Sequence, residues 1–218
     1  RENSRVAKLI GINKAARTTC VKPAGTTSLV LGTSSGIHAW HNEFYIRRLR
    51  VGKNEPIYKY LLAHNPELVK DEYFRPHDTA VIEIPQSAPK GSIMRTESAF
   101  DLLKRVKKVA TEWVKPGHRK GSNTHNVSAT ISLKADEWDK AGKWMWDNRE
   151  CYNGLAVLPY DGGTYTQAPF EDITEEEFNK RVKLLNDVDL SMIVEMTDET
   201  DLSGELACAG GSCEISSL

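Results

Sequence analysis

Between Ser98 and Pro159 the apolar residues change period again and again, and this constrains the fold more than any other feature of the chain. Phe100, Leu103, Val106, Val109, Ala110 and Trp113 recur at spacings of three and four, which predicts a helix. Ser98 with Asp101 gives it an acidic capping signal, and Pro116-Gly117 stops it. In "NVSATISL", 126 to 133, Val127, Ala129, Ile131 and Leu133 alternate with polar residues and predict a half-buried strand. A helix over 135–148 follows, with Trp138, Ala141 and Met145 on one face, and then "GLAVLP", 154 to 159, as another short strand. Helix and strand in alternation predict an α/β class with substantial parallel pairing.

The remaining segments fit that class. "ARTTCVK", 16 to 22, is rich in β-branched residues and reads as a strand that Pro23 ends, because proline has no amide to donate. "GTTSLVLG" from Gly25 reads as a short helix ending near Gly32, followed by the loop "GTSSGIH". "FYIRRLRV", 44 to 51, reads as a strand in which Arg47, Arg48 and Arg50 cannot all point inward, so one face is basic, either a solvated strand face or a source of positive potential near a bound anionic ligand. "EPIYKYLLAHNP" suits a helix between Pro56 and Pro66, and "TAVIEIP", 79 to 85, a strand. Thr174 ahead of three glutamates opens a last helix, with Phe178, Val182 and Leu185 on one side. The packed body is expected to span 1–187, with an acid-rich, mobile tail over 188–218.

Composition narrows the function. A chain of 218 residues, 39% hydrophobic and 27% charged, can bury one sizeable core. A net charge of -1 supplies no field that would draw it onto nucleic acid or an anionic membrane, so neither is expected as a partner. No run approaches the roughly 18 apolar residues of a spanning helix and the first residues lack a secretory pattern, so a cytoplasmic location is expected. Four cysteines are too sparse for a disulfide framework; only Cys208 and Cys213 are close enough in sequence to invite pairing. A first residue of Arg1 suggests a piece of something longer.

Two stretches carry candidate chemistry. Pro23, Ala24, Gly25, Thr26, Thr27 and Ser28 place a flexible glycine and three hydroxyls at a helix start. The residues alone allow two readings: a cap satisfying its own helix, or a grip on an anion through unpaired first-turn amides. It is not a Walker loop, since the GxxxxGK[ST] spacing is absent. The terminal "CAGGSC" is either two surface thiols or a redox pair closed by a glycine-containing ring.

In their order, "ARTTCVKPAGTTSLVLGTSSGIH", "YIRRLRV", "NTHNVSATISL", "LPYDGGTYTQAPFE" and "CAGGSC" resemble the C-terminal part of ribonucleotide reductases of the adenosylcobalamin-dependent (class II) kind, over about residues 8 to 215. The resemblance implies the last strands and helices of a ten-stranded α/β barrel, and an oxidoreductase that converts ribonucleotides to 2'-deoxyribonucleotides for DNA synthesis by radical chemistry. It implies that Pro23 to Ser28 hold the substrate's phosphates. It implies further that Cys208 and Cys213 are the tail thiols that re-reduce the active site and are themselves re-reduced by a thioredoxin-like partner. Adenosylcobalamin is the implied cofactor, with much of its site in an N-terminal remainder. The family's radical cysteine has no counterpart here, so the chain is expected to be inactive alone.

Other candidates read more plainly. Cys20 and Cys151 are assigned to packing. His38 and His41 lack a third ligand at a recognised spacing and read as loop histidines, so no metal is assigned. Tyr160, Asp161, Gly162 and Gly163 read by themselves as a tight turn after a strand, and the resemblance implies a place for them near the barrel's active-site end, behind the residues that touch substrate. The alternatives are a separately encoded subunit of a split reductase that only assembles and binds nucleotide, a thiol-disulfide carrier, and a class I large-subunit fragment. The class I reading suffers because no Tyr-Tyr dipeptide occurs.

Overall fold

The structure, a computed structural model, describes residues 1–122, 124–160 and 165–195. Its elements in chain order are α1 (Glu2–Leu9), α2 (Thr26–Val30), β1 (Phe44–Gly52), α3 (Pro56–His64), β2 (Val69–Asp71), β3 (Thr79–Ser87), α4 (Ala99–Val109), α5 (Lys115–Gly117), β4 (Thr130–Leu133), α6 (Trp138–Asp147), β5 (Ala156–Pro159), β6 (Phe170–Asp172) and α7 (Glu175–Val182). They form two compact units. The first holds 1–24, 34–38 and 97–160; the second holds 25–33, 39–96 and the described residues from 165 onward.

The first unit is built on the parallel pair β4–β5, in register from Thr130↔Ala156 to Leu133↔Pro159. Val127, Ala129, Ile131 and Leu133 are all buried, as the alternation predicts, and they pack with Leu102, Leu103 and Val106 of α4 and Ala141 of α6. Helix α4 starts where Ser98 Oγ accepts the Asp101 amide at 3.3 Å. It does not end by simple fraying: a π-helical turn over Ala110–Val114 inserts an extra residue before α5. That turn rotates the face, so Val114 is buried and Trp113 stands 65% exposed, against the expectation that Trp113 lines the core. On α6 the same kind of difference appears: Ala141 is buried while Trp138 is largely outside. The expected strand 16–22 contracts to one parallel bridge, Val21↔Val127, with Ser128 N donating to Val21 O at 3.0 Å.

The second unit is a four-stranded sheet in the order β2-β3-β1-β6, antiparallel throughout. The parallel pairing expected of the chain therefore describes the strands of the first unit, and in the second it is confined to the isolated bridge Trp40↔Met94. The seven residues 72–78 simply return β2 onto β3, a tight reversal that demands antiparallel pairing. Neighbouring residues Tyr45 and Ile46, and Val81 and Ile82, are all buried, so the sheet is covered on both faces. Leu61 of α3, Leu68 and Ile82 form a small core to which Leu185 adds. Helix α7 is capped by Thr174, whose hydroxyl accepts the Glu177 amide at 3.2 Å, and Phe178 meets Phe44 at 5.1 Å. Val182, expected inward, is 42% exposed.

Candidate functional site

The segment Pro23 to Ser28 straddles the two units: Pro23 and Ala24 go with the first, Gly25 to Ser28 with the second. Gly25 takes a left-handed φ of +57° immediately before α2, the turn that glycine permits at low cost. Thr27 is exposed and Ser28 is buried at 4% relative exposure, so these two hydroxyl residues sit in opposite environments. Thr33 closes the helix by donating its amide to Ser28 O at 2.9 Å. Helix α2 has five residues, short enough that its first amides lack intrahelical carbonyl partners.

Cys208 and Cys213 lie outside the described residues, as do Asp161, Gly162 and Gly163. Cys20 is a free, exposed thiol rather than a packing residue; with only one bridge nearby, no neighbouring strand covers the side chain. Cys151 is half-buried. Lys134 Nζ lies 5.9 Å above the Tyr160 ring.

The arginine strand corrects the expectation of a solvated basic face. Arg47 and Arg48 point to opposite faces of β1 and both are buried. The register puts Glu83 opposite Arg48, and Nε donates to Glu83 Oε1 at 2.8 Å while Nη1 donates to the Ala168 carbonyl at 3.1 Å and Nη2 to Glu171. Burial alone would lower the Arg48 pKa; hydrogen bonds to Glu171 and Glu83 outweigh it and hold the guanidinium above its ordinary value. Arg47 lies opposite Phe170, its guanidinium 4.4 Å above the ring centroid. Arg50 is half-buried, 3.4 Å from Glu72.

The structure also brings together a cluster that spacing could not reveal. The His41 ring stacks on Phe170 at 4.9 Å, and Nε2 lies 2.8 Å from Asp172 Oδ1, close but off the line of a well-directed hydrogen bond. Arg95 holds the other Asp172 oxygen at 2.9 Å. Burial, then the charge of Arg95, pushes the His41 pKa down to about 4, against the opposing pull of Asp172. His41, Arg95 and Asp172 are 131 positions apart from end to end in sequence, and β6 is what joins them. His38 belongs to the first unit, where its ring bonds to Ser35 O and the Thr130 amide. Among the described residues no group of His, Cys, Asp and Glu could hold a metal ion, and no helix is long and apolar enough to cross a membrane.

No family model matches the chain. Curated proteins do. The chain is 27% identical over 209 residues to the adenosylcobalamin-dependent ribonucleoside-triphosphate reductase of Lactobacillus acidophilus, covering 94% of this chain and 27% of that protein. The same-named proteins of Lactobacillus leichmannii (27% identity, 96% of this chain, 28% of that protein) and Euglena gracilis (26%, 96% and 28%) match likewise. A solved structure of a B12-dependent (class II) ribonucleotide reductase superposes with a TM-score of 0.65 at 26% identity, over 84% of this chain and 25% of that one. The chain thus spans about a quarter of the length of the curated relatives it matches. By sequence and by fold alike, the relatives of this α/β chain are the adenosylcobalamin-dependent (class II) ribonucleotide reductases.

Proposed function

We propose that this chain is the C-terminal portion of a class II ribonucleotide reductase, contributing the substrate-phosphate loop and the reducing tail to a ten-stranded α/β barrel completed by an N-terminal remainder. The observation that carries the reading is agreement between near-complete coverage of this chain and superposition on a class II reductase, 94–96% by sequence and 84% by structure. Two features support the incomplete barrel. The pair β4–β5 and the Val21↔Val127 bridge are parallel, as barrel strands are, and large apolar side chains such as Leu9, Val30, Leu31 and Trp146 are more than two-thirds exposed.

In this reading Pro23 to Ser28 bind the phosphates of a ribonucleotide, with Gly25 letting backbone approach the ligand and Thr27 offering an exposed hydroxyl. Cys208 and Cys213 deliver electrons from a thioredoxin-like reductant, and the product is a 2'-deoxyribonucleotide for DNA synthesis in the cytoplasm. Adenosylcobalamin, when bound to such an enzyme, supplies the radical that starts the reaction. Much of its site belongs to the N-terminal remainder in this reading. A crevice of about 230 Å³ between β2, β3 and α7, lined by Glu67, Lys70, Glu83, Glu177, Lys180 and Arg181, falls below the ~300–1,000 Å³ of ordinary small-molecule pockets and is lined by both signs of charge.

The test is an amide NMR titration of the 218-residue chain with inorganic triphosphate and with a ribonucleoside triphosphate. Shifts centred on Gly25, Thr26 and Thr27 are expected. Shifts elsewhere only, or none at millimolar ligand, defeat the phosphate assignment. In parallel, the purified chain with adenosylcobalamin and dithiothreitol is expected to reduce no nucleotide; turnover by the chain alone would overturn the need for a remainder.

A further inference from the structure

We propose that the turn Ser34 to His38 is the rest on which the Lys22–Pro23 peptide lies, making Gly36 a positioning residue for the Pro23–Ser28 segment; the ligand part of this inference rests on the phosphate-binding reading above. Gly36 has a left-handed φ of +60°, and a Cβ placed on it would meet Lys22 O at 3.0 Å, Lys22 C at 3.1 Å and Pro23 N at 3.2 Å. All three are backbone atoms, so no flexible side-chain end can swing away. Gly25, Gly32 and Gly91 share the left-handed conformation but have open space where a Cβ would go. Gly36 alone of these four combines a forced φ with a close approach, and what it approaches is the peptide bond that opens the segment.

The turn is held from beneath. His38 Nε2 accepts the amide of Thr130, the first residue of β4, at 3.0 Å, so that nitrogen carries no proton. Nδ1, 3.0 Å from Ser35 O, is then the protonated one and donates to that carbonyl. The ring therefore works as a neutral strut between the turn and the strand. A second support comes from α4. Arg105 Nη1 donates to Ile37 O at 2.9 Å, and Glu97 grips the same guanidinium through both its oxygens, at 3.0 and 2.6 Å. On the other side of the Lys22–Pro23 peptide, Ser128 N holds Val21 O at 3.0 Å. The chain here is thus tied twice to the stretch around β4, once through the preceding residue, Val21, and once through Gly36 and His38. The position of Pro23 is thereby tied to the first unit's core strand.

Four variants of the full chain test this by amide shifts and hydrogen exchange at Ala24 to Thr27, without ligand, and by affinity for inorganic triphosphate. Gly36→Ala is expected to move those amides and to weaken triphosphate binding at least tenfold, with the amide pattern of β4–β5 retained. Gly91→Ala, which carries the same left-handed strain but meets nothing, is expected to leave Ala24 to Thr27 and the affinity unchanged. Should Gly36→Ala fail to fold, a His38 pair decides. His38→Leu removes the acceptor for Thr130 N–H and should move the same amides, whereas His38→Gln, which keeps an oxygen acceptor, should restore them. A folded Gly36→Ala with wild-type shifts at Ala24 to Thr27, or a His38→Leu indistinguishable from His38→Gln there, overturns the inference. If wild-type chain binds no triphosphate the phosphate reading falls, and the ligand-free shifts still decide the positioning role.

Discussion

Arg48 shows most clearly how one residue's environment is made by its neighbours. A guanidinium in mid-strand is costly to bury unless paired, and here the antiparallel register sets Glu83 directly opposite while β6 delivers Glu171. Replacement by methionine keeps the length and removes the charge, leaving Glu83 buried without its main partner. Arg48→Met is expected to lower stability by about 3–5 kcal/mol in urea unfolding, the cost of stranding a buried charge. His41 makes a prediction in pH. Its folded pKa of about 4 lies below the ordinary value near 6.5, so between those values the unfolded chain binds the proton and the folded chain does not. Stability therefore falls as pH drops from about 6.5 to about 4, and this group adds no further change below that. The loss is on the order of 2 kcal/mol. In His41→Gln that segment of the denaturation-midpoint profile should flatten; an unchanged slope would show that other groups set it. Neither environment was legible in the sequence, because Arg48 with Glu83 and His41 with Asp172 are joined only by strand pairing.

The elements themselves were largely written in local pattern. Capping at Ser98 and Thr174, the proline that opens α3, and the alternation over Val127 to Leu133 all appear where the residues place them, because each depends on neighbours within four positions. Faces were less legible than elements. The π turn at Ala110–Val114 exchanges Trp113 for Val114, and nothing in the spacing announces an inserted residue. Leu103 is fully buried in the core of the first unit, between α4 and β4. Leu103→Ala is expected to cost about 2–5 kcal/mol, the sum of lost burial and residual cavity, and Trp113→Ala less than about 0.5 kcal/mol because that ring stands in solvent. Thermal melts of the two variants side by side check the face assignment: equal losses would contradict it.

For the molecule as a whole, the two units follow different rules. One pairs its strands β4 and β5 in parallel through the intervening helix α6; the other pairs all its strands antiparallel, and of these only β2 and β3 are joined by a short connection. In an enzyme completed by the remaining polypeptide, Cys208→Ser or Cys213→Ser is expected to abolish turnover with thioredoxin as reductant and to leave turnover with dithiothreitol, which reaches the active site unaided. Full activity of either variant with thioredoxin would remove the tail from the mechanism.

What the amino-acid order determined by itself was most of the longer helices and strands, the α/β class and the ordered motifs through which the chain resembles its relatives, all of which are short-range properties of capping, period and turn chemistry; α1, β2 and β6 had no such local signal. Tertiary structure alone decided the antiparallel sheet, the burial of Arg47 and Arg48, the exposure of Cys20 and Trp113, and the contact of Gly36 with the Lys22–Pro23 peptide. Those depend on which distant segments come together, and charge compensation, covering strands and close backbone approach exist only once they have.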